Sequence, residues 1–186
     1  MIEQSDSYQK QTYRNRCDIY GANGKLSLVI PVKHEKGKRL KVQDARIDYD
    51  TDWRRLHWKG IVSAYNSSPY FEYYQDVFEP YYRKEPEFLI DFCISLNNDV
   101  LKILSLPVKP TLTSSFLFPG DTGDIEDLRM VVHPKSEFNS DIGFRVIEYS
   151  QVFLQAHGFI PNLSILDLIF NMGPEAGKVL SSSLIE

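Results

Sequence analysis

The segment "EPEFLIDFCISLNNDVLKILSL", residues 85–106, places Phe88 or Leu89, Phe92, Leu96, Val100 and Ile103 on one face of a helix. Pro86 falls near its first turn, where a missing N–H costs nothing. A helix of this length with one apolar stripe has to bury that stripe, so the rest of the chain must supply a second layer. Two further segments read as helices. "TDWRRLHWKGIVSAYNSSP" opens at Thr51 or Asp52 as N-cap and stops at Ser-Ser-Pro, with Trp53, His57, Gly60 and Ala64 on one stripe and Trp58, Ile61 and Tyr65 on the next. "YFEYYQDVFEPYYRK" keeps Phe71, Tyr74, Val77 and Phe78 together and is interrupted at Pro80.

The N-terminal third follows a different period. "CDIYGANGKLSLVIPVKH" holds two β-rich runs around Ala-Asn-Gly, in which Asn and Gly accept positive φ, and this predicts a hairpin with Leu26, Leu28 and Ile30 on one face. "KVQDARIDYD" reads as another strand with Val42, Ala45 and Ile47 inward, "TLTSSFLF" as a further strand, and "FRVIEYSQVF" as a late one. "PGDTGDIEDLR" is a loop, and "SILDLIFNMGPEAGKVLSSSL" is a helix broken or restarted at Gly173 and Pro174. The expectation is one mixed α/β domain over residues 1–186: an early hairpin and strands, then several helices and late strands.

The 186 residues are 42% hydrophobic and 25% charged, which excludes disordered, collagenous and membrane classes. No run of about 18 apolar residues and no signal segment occurs, so a cytoplasmic protein without a membrane span is expected. Cys17 and Cys93 lack partners at metal spacing, so buried reduced thiols are expected and no metal site.

The net charge of −4 conceals a basic region. Residues 9–59 carry 13 Lys and Arg against 6 Asp and Glu, which favours a phosphate-bearing ligand over a nucleic-acid surface on a chain that is acidic overall. Within it, "YQKQTYRNRC" has no acid between Asp6 and Asp18. Were it extended, Lys10, Thr12, Arg14 and Arg16 would share one side and Gln11, Tyr13, Asn15 and Cys17 the other. Paired guanidiniums suit bidentate capture of phosphate oxygens, whereas a charge-blunted edge strand gives the same pattern.

Common hydrolase, kinase, dinucleotide and metalloprotease motifs are missing. His57, between Leu56 and Trp58, is either a general base or a core histidine. Tyr65, Asn66, Ser67 and Ser68 either line a cleft or end a helix, and "HPK", His133 to Lys135, reads as a surface turn or a site. Asp167 and Asn171 are polar residues within an apolar helix that need partners, which would fasten this helix to a loop.

The blocks "YQKQTYRNRC", "GANGKLSLVIPV", "WRRLHWKGIVSAYNSSPYFEYY", "HPK" and "GFIPNLSILDLIFNMGPEA" resemble the WbqC-like protein family of bacteria over nearly the whole chain. The resemblance implies a place in surface-polysaccharide (O-antigen) assembly and aminoacyl or acyl transfer to an amino sugar; it names no cofactor. It further implies a pocket in which Arg14 and Arg16, beside Asn15, hold the phosphates of a nucleotide sugar or carrier-linked saccharide. Lys10 and Tyr13 belong to the same pocket, Gln11, Tyr65 and Asn66 bond sugar hydroxyls, and His57 is the base. Family members usually carry an upstream segment of the type Gln-Pro-x-Tyr-Phe-Pro before the region equivalent to Ile2 to Lys10; either the start was placed late or the protein lacks that segment, and in both cases part of this pocket is expected to be absent from this chain. The alternative is a noncatalytic scaffold that meets a glycosyltransferase through Tyr70, Tyr73, Tyr74, Tyr81 and Tyr82.

Overall fold

The computed structural model describes residues 1–34, 37, 39–118, 120, 123, 126–129 and 143–185, and these combine seven α-helices with one two-stranded antiparallel sheet. Strands β1 (Arg16–Gly21) and β2 (Gly24–Val29) pair from Arg16↔Val29 to Gly21↔Gly24. Only Ala22 and Asn23 close the turn, and neither takes positive φ; Gly24, which opens β2, takes it instead, at 97°. Cys17, Ile19 and Leu28 turn one face of the hairpin into the main core.

The helices are α1 (Trp53–Tyr65), α2 (Phe71–Phe78), α3 (Pro80–Arg83), α4 (Leu89–Ile103), α5 (Leu154–His157), α6 (Ile165–Met172) and α7 (Ala176–Ser182). Pro80 starts α3 rather than bending α2, as proline is tolerated at a first helical position. Helix α1 buries Trp53, Ile61, Ala64 and Tyr65, and α4 buries Leu89, Ile90, Phe92 and Val100, close to the stripes read from spacing. Two cores result. The larger gathers Ile19, Leu28, Phe71, Phe78, Ile169 and Phe170; the smaller gathers Ala45, Ile47, Trp53, Leu89 and Phe92. Tyr82 and Leu96 pack against both.

Three predicted strands take other forms. "KVQDARIDYD" begins as a 3-10 turn, Val42–Asp44, and then makes single bridges, Val32↔Ile47 and Arg46↔Phe88, while still burying Ala45 and Ile47. "TLTSSFLF" contributes one parallel bridge, Ile2↔Leu112. Residues 144–153 form no strand: Phe144 bridges Leu184, and the side chains of Tyr149 and Gln151 are drawn to the Asp167 carboxylate.

Asp167 on α6 is fully buried. Its carboxylate accepts hydrogen bonds from Tyr65 Oη (2.8 Å), Tyr149 Oη (2.8 Å) and Gln151 Nε2 (3.0 Å). Tyr65 Oη in turn accepts from the Tyr20 N–H at 3.1 Å, and the Gln151 amide makes two bonds with the Ile160 backbone. Burial raises the carboxyl pKa, and the three donors pull it back. Asn171, one turn on, donates to the Asp167 carbonyl and caps the arrangement from within the helix.

Between α6 and α7 the chain turns through a 3-10 segment at Gly173, where φ is 52°. A Cβ there would stand 2.5 Å from the Tyr70 ring, so both the conformation and the space demand glycine. Gly173→Ala is expected to lower stability by about 1–2 kcal/mol from the backbone alone, more if the ring cannot yield. Urea unfolding measures this; a loss below about 0.5 kcal/mol would show that the position tolerates a side chain. Tyr65→Phe removes one donor to Asp167 and leaves the Tyr20 N–H without its acceptor, for an expected loss of about 1–3 kcal/mol in the same assay. An unchanged midpoint would remove the network from the account of stability.

Candidate functional site

The segment from Tyr8 to Cys17 is turned rather than extended up to Asn15, and only Arg16 and Cys17 lie in β1. Thr12, only 5% exposed, donates to the Gln9 carbonyl at 2.9 Å, Asn15 N–H returns to the Thr12 carbonyl, and Gln11 adopts φ 60°. This threonine-led turn abolishes the two-sided alternation, so Lys10, Arg14 and Arg16 do not share a face as an extended chain would require. Arg14 meets Asp6 at 3.2 Å. Arg16 opens β1 with its Nε buried and without a hydrogen bond. Asn15 is an internal tie, its Nδ2 donating to the Ile30 carbonyl at 3.0 Å while Oδ1 stays unpaired. Tyr13 reaches across the molecule, where its Oη accepts from Asn162 Nδ2 at 2.8 Å.

The remaining predicted site residues are dispersed. Tyr65 is fully buried in the Asp167 network and cannot meet a sugar, because its hydroxyl is already both donor and acceptor. Asn66, the C-cap of α1, is exposed. His57 is half-buried, with Trp53 at 5.1 Å and Tyr82 at 6.3 Å between ring centroids. Burial lowers its pKa to about 4, against a smaller opposing pull from the Val29 carbonyl. A ring held neutral among aromatic rings fits the packed reading of this histidine, since a general base works best with a pKa near the operating pH. His133 to Lys135 lie outside the described residues. Among the described residues no three His, Cys, Asp or Glu side chains converge as a metal site would require.

The two thiols also behave as core groups: burial pushes Cys17 to about 11 and Cys93 to about 12. The tyrosines from 70 to 82 differ in exposure. Tyr73 is 77% exposed, but Tyr74 is 8% exposed, Tyr82 packs in both cores, and Tyr81 Oη donates to Asp99 at 2.6 Å.

Hollows around these elements differ in charge. One of about 690 Å³ between α2, α3 and α4 is walled by Asp76, Glu85, Asp91 and Asp99 against Lys84, with Tyr81 and Phe92 on its apolar side. Its carboxylates repel phosphate. A second, of about 330 Å³, contains Arg54, Arg55 and Arg83. Each of these is already committed to a carboxylate: Glu85, Asp52 and Glu79 respectively.

A third, of about 280 Å³, is lined by Ser7, Tyr8, Lys10, His34, Arg39 and Leu40. No carboxylate stands among its described lining residues, and it lies directly against the Tyr8–Cys17 turn. Tyr8 and Leu40 pack onto the smaller core, which braces the hollow. Burial lifts the Tyr8 hydroxyl to about 12, keeping it a neutral hydrogen-bonding group. Sequence reading found Lys10 here but passed over His34 and Arg39; the basic run around "KHEKGKR" was the available signal.

Residues 2–139 and 129–179 match the WbqC-like protein family. A Mycobacterium tuberculosis (strain ATCC 25618 / H37Rv) protein described as "Uncharacterized protein Rv1507c" is 26% identical over 196 residues, which cover 93% of this chain and 83% of that protein. No solved structure matches the chain. No helix among the described residues is long and apolar enough to cross a membrane.

With its pKa lowered to about 4, His57 remains neutral in the folded state where an unfolded histidine takes up a proton below about 6.5. Its contribution to stability is therefore present above pH 6.5 and is lost as pH falls towards 4. His57→Gln should flatten this part of the stability profile, measured as urea midpoints between pH 7 and pH 4.5. Identical slopes in both proteins would contradict the burial of this ring.

Proposed function

Because the chain belongs to the WbqC-like protein family, we propose that it is a transferase of bacterial surface-polysaccharide assembly, acting on a nucleotide-linked or carrier-linked amino sugar by aminoacyl or acyl transfer. The observation that carries this reading is the hollow of Lys10, His34 and Arg39, open to an anion and without a carboxylate among its described lining residues. In this proposal Lys10 and Arg39 hold the phosphate oxygens, with Ser7 and Tyr8 hydroxyls completing the shell. In the same reading Gln11, which is exposed and at positive φ, bonds a sugar hydroxyl. Arg14 acts one step back, since its guanidinium is occupied by Asp6 and its carbonyl receives the Cys93 thiol at 3.6 Å.

Titration calorimetry with a UDP-linked amino sugar tests the reading. Lys10→Ala and Arg39→Ala should each weaken binding roughly tenfold or more, the usual effect of losing a charged hydrogen bond. Raising the salt should narrow the difference. Arg14→Ala should weaken binding less than either. Affinity that is indifferent to both Lys10 and Arg39, or no binding at all, would overturn the assignment of this hollow.

A further inference from the structure

On the other side of the Tyr8–Cys17 turn lies a groove of about 260 Å³ between the 144–149 segment, the 159–165 segment and helices α6 and α7. Its lining is mainly apolar, with Phe144, Ile147, Phe159, Leu163, Leu168 and Leu180 as the larger contributors. Arg145 is the only charged residue among its described lining residues.

The walls are held in place before anything binds. Tyr149 lines the groove while its hydroxyl is fixed on Asp167, and its ring meets Phe159 edge-on at 5.5 Å and 85°. The Arg145 N–H bonds the Ser183 carbonyl at 2.8 Å, and its Nε bonds the Ser182 carbonyl at 3.1 Å, so the guanidinium is anchored to the end of α7. Asn162, also on the lining, sits at φ 56° and donates to Tyr13. Asparagine takes this left-handed conformation readily, and the bond to Tyr13 fixes it there.

We propose that this groove binds a single unbranched acyl chain of about eight to ten carbons that ends in a carboxylate, with the chain on the apolar walls and the carboxylate at Arg145. At roughly 30 Å³ for each water-sized group, 260 Å³ matches a chain of that length. One cation on an apolar trough is the complement of a single-chain amphiphile with one negative charge. The assignment stands whether or not the basic hollow takes a phosphate.

Calorimetry of the full chain with butyrate, octanoate, decanoate and decan-1-ol tests it. Affinity should rise roughly fourfold per added methylene up to about ten carbons, as transfer of buried CH₂ groups requires. Decan-1-ol should bind at least about tenfold more weakly than decanoate, for want of the charge. Arg145→Gln should remove most of that difference. Val146→Glu, at a lining residue that is 47% exposed, should weaken decanoate by a similar factor. Butyrate binding as tightly as decanoate, no binding of decanoate, or decanoate binding unchanged in both variants would overturn the site; decan-1-ol matching decanoate would overturn its ligand class.

Discussion

A single buried carboxyl group inside an apolar helix organises much of this molecule. Among the described residues no cation pairs with Asp167; it is held by two phenols and an amide that come from α1 and from the stretch after residue 148. Leaving any of those donors or the carboxylate itself unpaired in the interior would cost more than the net worth of one ordinary hydrogen bond. The 149–160 stretch, which carries α5, is therefore held to one place. Through Tyr65 the same carboxyl group reaches the backbone of β1, and so the hairpin, α1, α6 and the 149–160 stretch are set relative to one another by a single side chain.

That rigidity gives meaning to the two recesses that flank the Tyr8–Cys17 turn. Lys10 lines the basic one and Tyr13 clamps Asn162 at the apolar one, and three residues of chain can separate their Cα atoms by no more than about 11 Å. The acid-walled hollow next to α4 lies apart from both, and its charge keeps phosphate away. The sign of the lining charges thus differs from one recess to the next.

The elements that were legible in the sequence are those fixed by local rules. The stripes of α1 and α4, the glycine of the hairpin turn, and the break at Gly173 follow from spacing or from φ, and each is found where the residues require it. Pairing choices were not legible. "FRVIEYSQVF" has strand composition, yet Tyr149 turns inward to a carboxylate 18 positions later, which no alternation rule encodes. Tyr65 has the polar tip of a cleft residue but spends it on Asp167, 102 positions away. Thr12 is an ordinary residue for an extended chain until its hydroxyl finds the Gln9 carbonyl. The need of Asp167 and Asn171 for partners could be read in advance; the identity of those partners could not.

The bond from Asn162 to Tyr13 spans 149 positions. Contacts of such sequence separation form late, after loop-closure entropy has been met by nearer ones, and during synthesis the N-terminal partner must wait for the other to emerge. A ribosome-bound chain stalled before residue 162 would therefore display Tyr13 without its clamp.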